Sequence, residues 1–302
     1  MGFNVNTLPD YVEQHKSELI AKTLLNAPSI KNWIAVQTDV VGTTALNNVI
    51  ADVVFQNGDE CGFSDNGSVE ISQRMLEPRA LKVNLSLCPK ALKNKFLNTE
   101  IQISAKGQNL PAEEAIVGEL VNAIVNKVEN QIWAGEDTAE EIKGFYHNIG
   151  GDTIMVEGAA ADTATQFLNK VYMAIPSAVI NSGKEVCIFV STSLYRQYTV
   201  ENADTFHNPT TYGEGWCYLK GSNVKVVSTA GLDAVKAKYG QEKAYAGLAD
   251  DFVYGCDMVN DNEEFVLFWD ESDRVYKFIV EFNGATQIRF PDRIVNATKA
   301  TE

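Results

Sequence analysis

The chain has 302 residues, 45% of them apolar and 22% charged, and a net charge of −15. This balance supports a full hydrophobic core, in one large domain or two lobes, and excludes disordered, collagen-like and membrane classes. So acidic a surface also repels phosphate, which argues against a dedicated nucleic-acid groove.

Residues 10–25, DYVEQHKSELIAKTLL, place apolar side chains at Tyr11, Val12, Leu19, Ile20, Leu24 and Leu25. They predict a short amphipathic helix that ends before Pro28 and reads as a detachable arm. The opening MGFNVNTLPDYVEQHK lacks the basic-then-apolar form of a secretory signal, so a cytosolic origin is expected. WIAVQTDVV and NNVIADVVF, within 33–55, are strand candidates. QNGDECGFSDNGS must turn, and the alternation of SVEISQRMLEPRALKVNLSL then predicts a returning strand, so that the two flanks make an extended β-hairpin. Few large apolar residues lie in 59–79, and such a ribbon needs something outside itself to pack on.

The best-specified element is PAEEAIVGELVNAIVNKVENQIWAG, 111–135. Ile116, Leu120, Ile124, Val128 and Ile132 recur at helical spacing, with Val117, Val121 and Val125 beside them. Asn109 can cap this helix, Pro111 suits its first turn, Glu113 and Glu114 meet the positive end of the dipole, and Gly135 ends it. A rod of roughly 35 Å follows, a strut carrying no chemistry of its own. Beyond the Gly-rich 143–158, a helix over 161–174, a buried strand over 185–191, a helix starting near Ser191 or Thr192 and a strand over 224–228 mark a second, α/β lobe. Residues 202–218 read as an exposed loop, AYAGLADDFVYGCDM as a strand and turn, and 265–291 as two strands about a turn at 271–273 with a third run near 286–290.

Motifs for chemistry are missing. GFSDNG has Asn66 where a nucleophile elbow needs glycine, GEGWCYLKG lacks the third glycine of a dinucleotide site, and DMVNDNEE lacks the alternation of a calcium loop. His15, His147 and His207 stand in separate segments. The adjacent pairs Glu113-Glu114, Glu140-Glu141, Asp250-Asp251 and Glu263-Glu264 point apart and suit solvated faces. Cys61, Cys88, Cys187, Cys217 and Cys256 form no CxxC pair and read as small apolar residues. No catalytic residue, metal or cofactor is expected. Phe206, Tyr212, Trp216 and Tyr218 serve either as packing anchors between subunits, the favoured reading, or as a ligand pocket.

The order of arm helix, long hairpin, solitary long helix, α/β lobe and returning antiparallel strands resembles the major capsid proteins of tailed bacteriophages, the Hong Kong phage capsid fold shared with encapsulins. The residues that carry the likeness are the strand over 70–87, the helix over 111–135, SAVINSGKEVCIFVSTSLYRQY and FIVEFNGATQIRFPDRIV. The resemblance implies an α+β chain with an N-terminal arm and start of the peripheral domain (1–49), an E-loop hairpin (50–83), a peripheral domain with the spine helix (84–158), an axial domain (159–262) and return strands (263–302). It implies self-assembly through hexamers and pentamers into a head shell enclosing double-stranded DNA, with no membrane partner. The protein would be assembled in the host cytoplasm and located in the virion, with portal, separate scaffolding and possible decoration proteins as partners. Relatives that weld their shells use a hairpin lysine; residues 53–80 contain none, so crosslinks between subunits are not expected. The ten residues before the arm are too few for the ~100-residue scaffolding segment of some relatives. Arg74 and Arg79 are expected to pair with acids on a neighbouring copy. The alternatives are an encapsulin-like compartment, a small-ligand enzyme on 143–257, and a tail-tube or decoration protein.

Overall fold

The computed structural model describes residues 12–13, 16–55, 67–88, 112–203, 212–257 and 264–300. Two sheets carry the chain. In the first, β1 (Ala35–Gln37) runs parallel to β11 (Phe252–Cys256), which pairs with β13 (Val275–Ile288); β12 (Glu264–Asp270) and β4 (Arg79–Leu87) pair antiparallel with β13 as well. β13 alternates half-buried and buried residues, placing Tyr276, Phe278, Val280 and Phe282 on one face. The second sheet has the order β5 (Ile154–Gly158), β14 (Val295–Lys299), β10 (Glu242–Leu248), β6 (Val186–Ser191), β9 (Lys225–Thr229), β8 (Trp216–Tyr218) and β7 (Tyr212–Gly213). Its central strands β6 and β10 are buried on both faces, which is why VCIFVS is an unbroken apolar run rather than an alternation.

Helices cover these sheets. α1 (Lys16–Leu25) and α2 (Pro28–Asn32) precede the long α3 (Ala112–Ala134), which the short α4 (Phe145–Asn148) follows. α5 (Ala164–Ala174), α6 (Ser177–Ile180) and α7 (Thr192–Glu201) contribute to a core on one face of the seven-stranded sheet. α8 (Ala230–Tyr239) lies against α3 on the other. That approach requires Gly231, where a Cβ would come within 2.2 Å of the Trp133 ring and 2.7 Å of the Glu129 carbonyl oxygen.

The apolar stripe of α3 is buried as its spacing predicts, through Val117, Val121, Ile124, Val125, Val128 and Ile132. Its C-terminal turn carries Trp133, which is fully buried against Phe145, Phe189 of β6, Tyr245 of β10 and Phe252 of β11, with ring centroids 5.0–6.2 Å away. One aromatic cluster thus joins both sheets, and the strut is pinned where they meet. Two 3-10 turns cross the same junction: Ala249–Asp251 carries β10 into β11, and Pro291–Arg293 carries β13 into β14.

Several sequence expectations are corrected. The helix read as a detachable arm packs on α3 and β12 of its own chain, with Leu19 and the preceding Val12 buried. The single strand read over 70–87 breaks at Glu77-Pro78, because proline has no N–H for a ladder. The ribbon is therefore β2 (Thr44–Asp52) with β3 (Ser68–Leu76), while β4 belongs to the five-stranded sheet. The sheets also cut across the expected segments: β5 and β14 join the seven-stranded sheet, and β11, expected in the axial segment, joins the five-stranded one. The helix expected from 161 starts at Ala164, set by a reciprocal capping box between Thr163 and Gln166. The third run near 286–290 is largely the continuation of β13, and 212–218 is a small hairpin rather than a loop. Asn109 and Pro111 lie outside the described residues, as do Cys61, His15, His207, the ribbon tip and the segment 258–263.

Candidate inter-subunit surface

The ribbon β2–β3 forms a two-stranded sheet of its own. Its root is fixed. Leu46 and Leu76 pack with Val40, Val253 and Ala285, and Gly255 leaves the room that Leu76 occupies. Asn48 Nδ2 donates to the Arg289 carbonyl at 2.6 Å, and Gln287 Nε2 donates to the Met75 carbonyl at 2.7 Å. Beyond the root, both strands are bare.

Register separates the two faces of this blade. Ala45, Asn47, Val49 and Ala51 stand opposite Met75, Gln73, Ile71 and Val69, whereas Leu46, Asn48, Ile50 and Asp52 stand opposite Arg74, Ser72, Glu70 and Ser68. One face is mostly apolar, crossed by the hydrogen-bonded pair Asn47 and Gln73, and the other mostly polar. On the apolar face Val49 is 60% exposed, Ile71 71% and Val69 67%; Phe55, beyond the last ladder pair, is 96% exposed. Covering an aliphatic or aromatic side chain yields about 1.5–3 kcal/mol, so four such residues carry association energy that this chain leaves unused.

Arg74 and Arg79 come together at the ribbon root. They line a pocket of about 230 Å³ with Glu77, Asp137, Lys143, Asn148, Thr286 and Gln287. Arg79 Nη2 donates to Asp137 Oδ1 at 2.6 Å and holds that carboxyl below the ordinary range. The expected neighbour for Arg79 is thus supplied by its own chain. Arg74, half-buried, makes no ion pair among the described residues. A second depression of about 710 Å³ runs between β4 and α3, lined by Leu81, Val83, Leu85, Leu120, Ile124 and Phe282 among others.

At the edge of the seven-stranded sheet, Trp216 is half-buried beside Trp33, centroids 6.4 Å apart, and the Lys225 ammonium lies 5.1 Å and 4.8 Å from the two rings. Its anchoring role is in part internal: it clasps the segment after α2 to the lobe. Tyr212 on β7 is exposed, and Phe206 lies outside the described residues.

Buried ionisable groups among the described residues do not converge into a reactive centre; of them, Asp251 is the one expected on a solvated face, and it is buried instead. Glu129 is buried on α3, its carboxyl raised by desolvation, and accepts from Ser29 N at 3.1 Å and Ser29 Oγ at 2.5 Å. Asp251, in the junction turn, is pushed up to about 6 by burial. Cys187 and Cys217 are pushed up to about 12 and about 11 by burial, away from nucleophilic thiolate. His147 Nε2 meets the Tyr239 hydroxyl at 2.9 Å. Among the described residues no group of three or more His, Cys, Asp or Glu is arranged to hold a metal, and no helix is long and apolar enough to cross a membrane.

No protein-family model matches the sequence, and no curated protein matches it. Solved structures match along most of its length. A chain of the satellite phage P4 procapsid including size determination (Sid) protein is 8% identical with a TM-score of 0.59, covering 95% of this chain and 92% of that one. A chain of Gordonia phage Cozz is 13% identical at 0.56, covering 89% and 85%. The holo-SrpI encapsulin complex from Synechococcus elongatus PCC 7942 is 10% identical at 0.55, covering 91% and 88%. The chain is α+β and has the Hong Kong phage capsid fold shared by these shells.

Proposed function

We propose that this chain is a major capsid protein that assembles with copies of itself, as hexamers and pentamers, into an icosahedral shell around a phage genome. The observation that carries this reading is the ribbon: its root is rigid, while its apolar face is bare for the length of the strands, so the missing partner is another molecule. The role is structural rather than enzymatic. Tyr212, Trp216 and Arg74 are assigned to contacts between copies, Arg74 because its charge is open at the ribbon root. Contacts of micromolar strength, roughly 8 kcal/mol each, suffice when several neighbours hold each subunit. Weak contacts also let misplaced subunits leave.

Enclosed double-stranded DNA would be confined by the acidic shell rather than bound to it. Portal, separate scaffolding and possible decoration proteins complete the proposed set of partners, in a virion assembled in the host cytoplasm. The encapsulin match, of similar coverage and score, supports a second reading with the same wall and different contents. Electron microscopy of the purified protein, expressed alone and with its neighbouring genes, tests the class: rings or closed shells are expected, and a persistent monomer at high concentration rejects it. Nucleic acid inside the native particles assigns a capsid, and a single enclosed enzyme assigns the compartment.

A further inference from the structure

Lys243 on β10 is only 8% exposed, and among the described residues it makes no ion pair. Its Nζ donates instead to two neutral oxygens on the adjacent strand β14, Thr298 Oγ1 at 2.6 Å and Asn296 Oδ1 at 3.3 Å. The Tyr146 ring, itself stacked on Tyr239, lies 5.7 Å away. Desolvation lowers the pKa of the ammonium, favouring the free amine. A buried lysine held this way is a poor structural choice: a charge without a counter-charge is costly, and an apolar side chain would fill the slot without that cost.

Register adds a third group. β14 lies between β10 and β5; Lys243 stands across from Thr298, and Thr298 across from the exposed Glu157. Directly opposed side chains share a face at about 5 Å, so lysine, hydroxyl and carboxylate form one row, with Asn296 in the next.

We propose that Lys243 and Asn296 become joined by an amide bond that the chain forms itself, tying β10 to β14. The Nζ lone pair attacks Asn296 Cγ, the Nζ–Cγ bond forms, and the Cγ–Nδ2 bond breaks. The proton lost by Nζ passes through the Thr298 hydroxyl, assisted by Glu157, to the departing Nδ2, which leaves as ammonia; nothing is oxidised or reduced. The product keeps an N–H beside Thr298 and removes the ionisable amine from the buried slot. The bond also closes the loop from 243 to 296, which holds β11, β12 and β13, and so locks the two sheets together through both junction turns. It lies within one chain and does not depend on the shell reading.

The test is the mass of the folded, purified protein together with a tryptic map. The expected result is a chain lighter by one ammonia and a branched peptide joining the Lys243 and Asn296 segments. Lys243→Arg is expected to restore the full mass. Should that variant fail to fold, Glu157→Gln alters only an exposed side chain and is expected to slow bond formation about a hundredfold. Full mass in the wild type after prolonged incubation overturns the proposal. So does a linear peptide lighter by ammonia, which would place the loss in a succinimide at Asn57-Gly58, Asn66-Gly67 or Asn283-Gly284.

Discussion

Ser29 Oγ accepts the Trp133 indole N–H at 2.9 Å while donating to the Glu129 carboxylate, so one hydroxyl at the N-terminal end of the chain satisfies two groups buried on α3. The first segment is thereby held to the place where both sheets meet.

Removing that hydroxyl leaves a buried carboxylate and an indole N–H short of a partner. Ser29→Ala is expected to cost about 3 kcal/mol in denaturant unfolding, more than its small volume change implies. Glu129→Gln, which keeps an acceptor and removes the buried charge, is expected to cost less or to stabilise at pH 8. Equal losses from the two variants would remove the charge from the explanation.

Asp251 gives the subunit a pH dependence of known sign. Its folded pKa, about 6, lies above the ordinary 3.8 because it is buried, with one carboxylate oxygen lacking a partner among the described residues. Arg293 and Arg289 offset this in part, Lys184 contributes in the same direction, and Asp250 opposes. A raised folded pKa means that the stabilising contribution is complete below pH ~4 and is lost as pH rises through about 6. Asp251→Asn is expected to raise the melting temperature at pH 7.5, by roughly 1–3 kcal/mol of stability, with the advantage shrinking toward pH 4. An advantage independent of pH would contradict the titration.

Ile71, bare on the apolar face of the ribbon, is expected to matter for assembly and not for folding. Ile71→Asp should leave subunit unfolding within about 0.5 kcal/mol of wild type. Sedimentation should show shells lost or delayed. Normal shells from this variant would move the ribbon contact to its other face.

Arg74 and Arg79 are expected to separate in the same assay. Arg74→Glu should weaken assembly in a salt-sensitive way, because it reverses the charge left open at the ribbon root. Arg79→Ala, which breaks a pair internal to the chain, should have the smaller effect. The reverse ranking, read from shell yield against ionic strength, would assign Arg79 to the interface.

Thiol accessibility checks the packing independently. In dissociated subunits at pH 8, iodoacetamide is expected to label the exposed Cys88, while the buried Cys187, Cys217 and Cys256 react only after unfolding. Rapid labelling of Cys187 and Cys217 in the folded subunit would show that the seven-stranded sheet opens readily.

Much of this architecture was legible because it repeats at short range. The helical spacing from Val117 to Ile132 and the unbroken VCIFVS report their own burial, and the glycine at 135 reports the helix end, since a helix stripe or a doubly covered strand needs nothing beyond its neighbours in sequence. The same local signals implied the ribbon and, with the order of elements, the fold.

Pairing across the chain was not legible. Nothing near residue 154 or 295 says that β5 and β14 lie side by side, and nothing near 249 says that the chain passes from one sheet to the other between β10 and β11 through three residues of 3-10 turn. The meeting of Ser29 with Glu129, of Arg79 with Asp137, and of Lys243 with Asn296 depends on strand and helix partners chosen by the whole core. Periodicity fixes which side of an element is buried; only closure of the three-dimensional core decides what it is buried against, because that choice is set by the summed packing of segments far apart in the chain.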